Sequence, residues 1–290
     1  MQKTNWVAFV GLPNVGKSTL VNQLVGEKVS IVTPKAQTTR HSLKGIKVEG
    51  DTQLIFIDTP GIFEARTAVE KLMVKLAWRK MGEANEICVM VDSKKALDKR
   101  TRQLLSQLDQ KKLVYNLVIN KIDKISKPEL LSIATELNKL CHFKNTFMIS
   151  ALKNSGVDVL FKYFMKTAKE GPWFFAKDEI TNAPLYFMAA EIVREKIFFN
   201  THQELPYNTC VETMHWEEKE NITVINVSLI VKNISHKKII IGKQGALLKK
   251  IGTHSRKEIE KLLEKKVFLS LHVKVSPLDN HRAAKNLSSY

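Results

Sequence analysis

Gly11-Leu12-Pro13-Asn14-Val15-Gly16-Lys17-Ser18-Thr19 spaces two glycines, a lysine and a hydroxyl in the order G-x-x-x-x-G-K followed by Ser or Thr. Glycines let a backbone close around phosphates, so that successive N–H groups and the N-terminus of a following helix point at the anion. In this pattern Lys17 supplies a point charge to the β- and γ-phosphates, and Ser18 offers a hydroxyl to Mg²⁺. The pattern alone does not separate ATP from GTP.

Three further clusters make that separation. Asp58-Thr59-Pro60-Gly61-Ile62 ends an apolar run, where the Asp58 carboxylate can hold Mg²⁺ through water and the Gly61 amide can meet a γ-phosphate. Asn120-Lys121-Ile122-Asp123 follows another such run. Its Asp123 carboxylate can accept from N1–H and the exocyclic amine of guanine, a donor pair that adenine lacks. Lys121 would pack along the base plane, and Asn120 would tie this loop to the phosphate loop. Ser150-Ala151-Leu152 would present a backbone N–H to guanine O6. Between the first two clusters, Lys35 to His41 occupies the place of a loop that brings a threonine to Mg²⁺ and the γ-phosphate; Thr39 is the first choice and Thr38 the alternative. Such a loop can order around GTP and relax with GDP. An ATP-dependent RNA enzyme or kinase would require Asp123 to be idle.

The elements that must hold these loops alternate along the first half. Short apolar strands are expected at Trp6–Val10, Ser42–Glu49, Gln53–Ile57, Ile87–Val91, Leu113–Ile119 and Thr146–Ile149, with a Glu49-Gly50-Asp51 turn joining the second and third. Helices are expected at Lys17–Leu24, Thr67–Met81 with Leu72, Met73 and Leu76 apolar, Thr101–Leu108, Glu129–Leu140 and Val157–Ala168. Strands separated by helices imply an α/β fold, a mostly parallel sheet with helices on both faces. Each nucleotide cluster falls at the C-terminal end of a strand.

Gly171-Pro172-Trp173 breaks the pattern, so residues 1–170 are expected as one domain, 171–182 as a linker and 183–290 as a second domain. The second domain reads as α+β: a helix over Ala183–Phe198, two alternating strands, a basic helical segment and a last strand over Val267–Val275. Ile241-Gly242-Lys243-Gln244-Gly245 forms a G-x-x-G loop just before a helix. G-x-x-G alone is often only a turn. Here Leu248, Ile251, Ser255, Ile259 and Leu262 recur at helical spacing as a core face, while Lys249, Lys250, Arg256, Lys257 and Lys261 fall largely outside it. Residues 173–231 hold four Lys/Arg against nine Asp/Glu, and residues 232–274 hold twelve against three. The basic surplus therefore surrounds the glycine loop, as a phosphate-contacting surface requires, although a solvated basic helix would look similar.

Bulk properties restrict the class. The 290 residues carry 46 Lys/Arg against 29 Asp/Glu, a net charge of +17, which favours polyanionic partners. No apolar run approaches the roughly 20 residues of a membrane span, and Met1–Trp6 has no signal-peptide pattern. Cys88, Cys141 and Cys210 are scattered and odd in number, which argues against disulfides or zinc and fits a reducing cytoplasm. The histidines also lack metal spacing.

The loop sequences Gln37-Thr38-Thr39-Arg40-His41 and Asp58-Thr59-Pro60-Gly61 together resemble the Era family of P-loop GTPases, and the resemblance extends over nearly the whole chain. The order helix, two strands, glycine-loop helices and strand resembles a type II KH domain, a module that clamps single-stranded RNA. The tail from Ser276 departs from the family: it keeps Leu287 and Tyr290 without a tryptophan-bearing approach. The resemblance implies slow GTP hydrolysis with Mg²⁺, because Ile62 stands where other GTPases carry a water-orienting glutamine. It implies that Asn14 helps hold K⁺ beside the phosphates. It implies binding of small-subunit (16S) ribosomal RNA and a role in maturation of the 30S particle, with no DNA partner and a monomeric state. A cytoplasmic protein with peripheral contact to an anionic inner membrane is also implied, and a membrane-associated regulatory GTPase is the alternative function.

Overall fold

Val7 to Val10 are buried on both faces, which only a strand sandwiched between helix layers achieves. They lie in β1 (Lys3–Gly11), followed by α1 (Lys17–Val25), β2 (Leu43–Glu49), β3 (Thr52–Asp58), α2 (Ala68–Met81), β4 (Glu86–Asp92), α3 (Lys99–Asp109), β5 (Tyr115–Asn120), α4 (Lys127–Leu140), β6 (Phe143–Met148), α5 (Val157–Lys166) and the two-residue β7 (Lys169–Glu170). This computed structural model describes residues 1–35, 38–65, 67–111 and 113–276. The chain divides into two units, from Met1 to Asn182 and from Ala183 onward.

The first unit's sheet runs β2-β3-β1-β4-β5-β6, parallel except where β2 returns antiparallel on β3 through Gly50 at φ 58°. One face is packed by α1 and α5, with Phe9, Phe56 and Phe164 in mutual ring contact. The other is packed by α2, α3 and α4 through Met81, Leu104, Leu105 and Leu137. On α2 the buried positions are Met73, Leu76, Ala77 and Met81, so Leu72, about 100° off that stripe, is exposed. Leu113 and Val114 are also exposed, because β5 begins only at Tyr115.

Residues 171–182 do not behave as a connector. After β7 pairs antiparallel with Lys3 and Thr4, the segment is bonded along the sheet. The buried Gln53 accepts from the Phe174 and Phe175 amides and donates to the Phe175 carbonyl. Ile46 N donates to Ile180 O at 2.9 Å, and Lys44 N to Asn182 Oδ1 at 2.9 Å. These bonds make the segment part of the first unit.

The second unit contains α6 (Leu185–Asn200), β8 (Thr209–Glu218), β9 (Ile222–Val231), α7 (Ile234–Ile241), α8 (Ala246–Leu263) and β10 (Lys266–Val275). Its sheet runs β10-β9-β8, with β10 parallel to β9 and β8 antiparallel. Ile225, Val227, Leu229 and Val231 form a buried row that packs with Val193, Ile197, Ile240, Ile251 and Ile259. The strand period of two and the helix period of 3.6 meet at this one core.

Candidate functional site

Gly11 leaves β1 at φ 155°, and a Cβ there would lie 2.4 Å from the Met90 carbonyl oxygen. Gly16 has φ 100°, and a Cβ there would lie 2.3 Å from Asn120 Nδ2. Both glycines are therefore required by close approach as well as by dihedral angle. Between them Leu12, Pro13, Asn14 and Val15 carry the chain to α1, with Asn14 left-handed at φ 64° and Thr19 in the helix's first turn. Lys17 is buried and donates to the carbonyls of Gly11 and Leu12, at 3.3 and 3.1 Å. Its burial lowers the ammonium pKa to about 8 against the opposing charge of Asp58.

Asp58, at the end of β3, is fully buried and neither carboxylate oxygen has a hydrogen-bond partner. Burial pushes its pKa up; the hydroxyl of Ser18, the Lys17 charge and the hydroxyls of Ser30 and Thr39 act the other way. Those hydroxyls are near enough to influence the carboxylate without completing a bond to it. Ser18 Oγ and Thr39 Oγ1 lie 2.9 Å apart. Two hydroxyls beside an orphaned buried carboxylate are a donor set that suits Mg²⁺, a hard cation that prefers oxygen. Thr38 is placed differently, bonded to Thr33 Oγ1 at 2.6 Å and to the Lys35 carbonyl at 2.8 Å. Ala36 and Gln37 lie outside the described residues.

From Thr59 to Ile62 no side chain is free to activate water. Thr59 donates its hydroxyl to the Phe9 carbonyl at 2.7 Å. Pro60 is buried, and Gly61 sits so close to the phosphate loop that a Cβ would lie 2.7 Å from Pro13 Cγ. Ile62 is buried in the core beside Val10 and Met81, and its amide donates to the Gly11 carbonyl at 3.0 Å.

Asn120 joins three loops. Its Nδ2 donates to Val15 O at 2.7 Å, while its Oδ1 accepts from the amides of Lys121 and Ala151 at 2.8 and 3.0 Å. Lys121, left-handed at φ 64°, donates to Asn14 O at 2.6 Å and pairs with Asp92 at 2.7 Å. That aspartate, which sequence reasoning missed, ends β4 beside β5 and so is within reach of Lys121. Ile122 and Asp123 form a short turn after Lys121. Asp123 is exposed and accepts from Ser150 Oγ at 2.6 Å, a bond that lowers its pKa. Ala151 N–H is already used on Asn120, whereas Leu152 beside it is exposed. An exposed carboxylate next to this backbone turn can read the Watson–Crick edge of a purine.

In the second unit Gly242 closes α7 at φ 74°, ψ 178°, and Gly245 opens α8 at φ 79°. Gln244 between them is left-handed at φ 50°, and Lys243 and Gln244 are exposed. A groove of about 430 Å³ lies beside this loop, lined by Gly245, Leu248, Lys249, Gly252, Thr253, Arg256, Leu269 and Leu271. It brings in Gly245 and Lys249 of the expected residues but not Ile241, Gly242, Lys243, Gln244 or Lys250. Arg256 was expected on the basic side of the helix but not as an RNA contact, and Thr253 was not singled out, although the spacing of both from Lys249 is helical and opposite the Ile251–Ser255–Ile259 core row. Gly252 forms part of the floor; a Cβ there would lie 3.4 Å from Leu271 Cδ1. An apolar floor with cations on one wall suits bases and phosphates together.

Comparisons with known proteins agree with this division. The model of the 50S ribosome-binding GTPase family matches residues 6–121, and that of the KH domain matches residues 204–279. GTPase Era of Afipia carboxidovorans is 44% identical over 274 residues, covering 94% of this chain and 89% of the relative. GTPase Era of Brucella suis is likewise 44% identical, covering 94% and 88%. A crystal structure of Era in complex with MgGDPNP and nucleotides 1506-1542 of 16S ribosomal RNA matches at TM-score 0.93 and 38% identity over 99% of both chains. Aquifex aeolicus Era, a variant bound to GDP·AlF4⁻, matches at the same score, identity and coverage. A phosphate loop, a guanine-type loop pair and a glycine-loop groove in one chain, at this level of identity, place it in the family of Era GTPases with a C-terminal KH domain.

Proposed function

We propose that this GTPase uses bound GTP and Mg²⁺ to time its hold on small-subunit ribosomal RNA during assembly of the 30S subunit. The groove beside Gly245, with Lys249 and Arg256 on its wall, carries the RNA half of the reading. The relative seen with both MgGDPNP and 16S ribosomal RNA supports joining the two halves. Gly11 to Thr19 would wrap the phosphates, and Lys17 would exchange the Gly11 and Leu12 carbonyls for phosphate oxygens. Ser18 and Thr39, with Asp58 through water, would hold Mg²⁺, which supplies charge neutralisation at the phosphates. Asp123 would select guanine, and an Asp123→Asn chain should turn toward xanthine nucleotide.

Hydrolysis in this reading is slow, because Ile62 is buried and Thr59 is committed to Phe9. Water must be oriented by backbone and cations. Asn14 is the residue we assign to K⁺; its Nδ2 donates to Pro34 O, leaving its side-chain oxygen for the ion. Equal turnover in sodium and potassium buffers would remove that assignment. The protein works as a monomer in the cytoplasm, and no helix among the described residues is long and apolar enough to cross a membrane. Peripheral contact with an anionic membrane is the second reading. Vesicle pelleting through a salt series with an RNA competitor separates it from the first.

The main experiment crosslinks bound RNA to the full chain loaded with a non-hydrolysable GTP analogue or with GDP. Crosslinks at Lys249 and Arg256 that depend on the nucleotide are expected. Crosslinks that avoid the groove in both states would overturn the RNA assignment.

A further inference from the structure

The basic charge of this chain is densest around the glycine loop, yet much of it lies outside the second unit. Residues 1–182 hold 29 Lys/Arg against 18 Asp/Glu, a net of +11, whereas residues 183–290 contribute only +6. Phosphate-loop chemistry needs very few of those cations. Two helices of the nucleotide-binding unit present many of the others.

On α2, Lys71, Lys75 and Arg79 recur every four residues and all three are exposed, along the side opposite the buried Met73, Ala77 and Met81. Lys94, Lys95, Lys99, Arg100 and Arg102 are exposed on α3 and the turn before it. Helices α2 and α3 pack side by side on one face of the sheet, and Lys111, just past α3, lies 4.5 Å from the centre of the Trp78 ring on α2. None of these eight exposed cations forms an ion pair with a carboxylate among the described residues, although Glu136, whose pKa is lowered chiefly by Lys139, is near enough to Arg102 for that charge to lower it further; Lys80 of α2 pairs with Glu83. A row of unpaired like charges repels itself and costs stability, so its presence favours an external polyanion.

We infer that the α2–α3 face is a second RNA-backbone surface, separate from the KH groove and reading phosphates rather than bases. The exposed side chains are mostly long cations, and the half-buried Trp78 is covered by Lys111, which is the chemistry of phosphate contact without sequence readout. An anionic membrane is less well matched. Leu72 is the only large apolar side chain exposed on either helix, too little to enter a bilayer interface. Helix α2 also follows the Asp58–Ile62 segment, so the surface sits directly downstream of a loop that contacts the phosphate loop.

The test uses the full chain with Lys71→Gln, Lys75→Gln and Arg79→Gln together, and separately Lys94→Gln, Lys99→Gln and Arg100→Gln. Binding to a labelled RNA hairpin and to a short single-stranded RNA is measured through a potassium chloride series, with a Gly245→Asn chain alongside. Each triple variant should weaken hairpin binding about tenfold and reduce the log–log salt slope by about 2 to 3, one counterion per lost contact. Single-strand binding and GTP affinity should stay within a few-fold, and Gly245→Asn should show the reverse preference. Unchanged hairpin slopes in both triple variants would overturn the inference while leaving the KH groove intact. Loss of binding to phosphatidylglycerol vesicles with the hairpin slope unchanged would overturn it in favour of a membrane surface. Failure of Gly245→Asn to weaken single-strand binding would count against the KH reading alone.

Discussion

Ser18 Oγ and Thr39 Oγ1 stand 2.9 Å apart beside an Asp58 carboxylate that has no hydrogen-bond partner. The contact joins the first turn of α1 to the loop leading into β2. It chooses between two adjacent threonines that the sequence presents alike, because Thr38 turns back onto Thr33 and Lys35. Thr39→Ala should therefore weaken GTP binding about tenfold or more in the presence of Mg²⁺, the scale of one lost hydrogen bond to a charged group. GDP binding should change less. A fluorescent-nucleotide titration at several Mg²⁺ concentrations reads this directly. If Thr38→Ala carries the Mg²⁺-dependent loss instead, the assignment is reversed.

That choice shows where sequence reading reaches its limit. The phosphate loop was legible because its glycines answer to local geometry, a left-handed φ at Gly16 and a close approach at Gly11. The Ile225–Val231 row was legible because a strand alternates with period two. Asp92 was not legible, since only the parallel pairing of β4 and β5 brings it to Lys121. Nor was the placement of residues 171–182. Gly171-Pro172 correctly ends regular structure, but the bonds to Gln53, Ile46 and Lys44 span more than a hundred residues and leave no local pattern. Arg256 belongs to an intermediate class: its helical offset from Lys249 was visible, while the groove itself also needed Leu269 and Leu271 from β10.

Lys17 gives a pH dependence with a definite sign. In the free protein its pKa is lowered to about 8 by burial. Phosphates next to the ammonium would raise that pKa, so the nucleotide complex binds more protons than the free protein above pH 8. Linkage then requires nucleotide affinity to be flat below about pH 8 and to fall as pH rises beyond it. For folding the same shift acts oppositely: the unfolded chain binds the extra proton between about 8 and 10.5, so this burial penalty is present below pH 8 and fades above it. Calorimetric titration of GDP at pH 8.5 in buffers of different ionisation enthalpy should detect proton uptake. Absence of uptake, with affinity constant to pH 9.5, would show that Lys17 is not the group that meets the phosphates.

Ile62 bears on catalysis. Replacing it with Gln restores the residue type that orients water in other GTPases, but here the position points into the core with Val10, Ala77 and Met81. The buried amide would lack partners and should cost about 1 to 3 kcal/mol of stability. Single-turnover hydrolysis of Ile62→Gln should therefore be no faster than that of the parent chain, and its melting temperature should be lower. A clear rate increase would mean that this segment swings out of the core when GTP is bound and that a side-chain water ligand is sufficient.

Gly242 and Gly245 separate folding from RNA contact. Both have positive φ, but a Cβ on Gly242 would lie 2.8 Å from Leu247 Cβ, whereas none of the neighbouring atoms counted around Gly245 comes within 4 Å. Gly242 also has ψ 178°, a conformation essentially closed to other residues, while Gly245 at φ 79°, ψ 6° is near the left-handed region that asparagine tolerates. Gly242→Ala should cost about 2 to 3 kcal/mol through strain and collision. Gly245→Asn should cost less than about 1 kcal/mol and keep the fold. Because Gly245 lines the groove, the added amide would stand where an RNA backbone must come closest. Gly245→Asn is therefore expected to melt close to the parent chain, bind GTP normally and lose single-stranded RNA affinity at least several-fold. Thermal denaturation and RNA titration on the same preparation distinguish that outcome from unfolding, and an unchanged RNA affinity in a folded Gly245→Asn chain would remove the glycine loop from the binding surface.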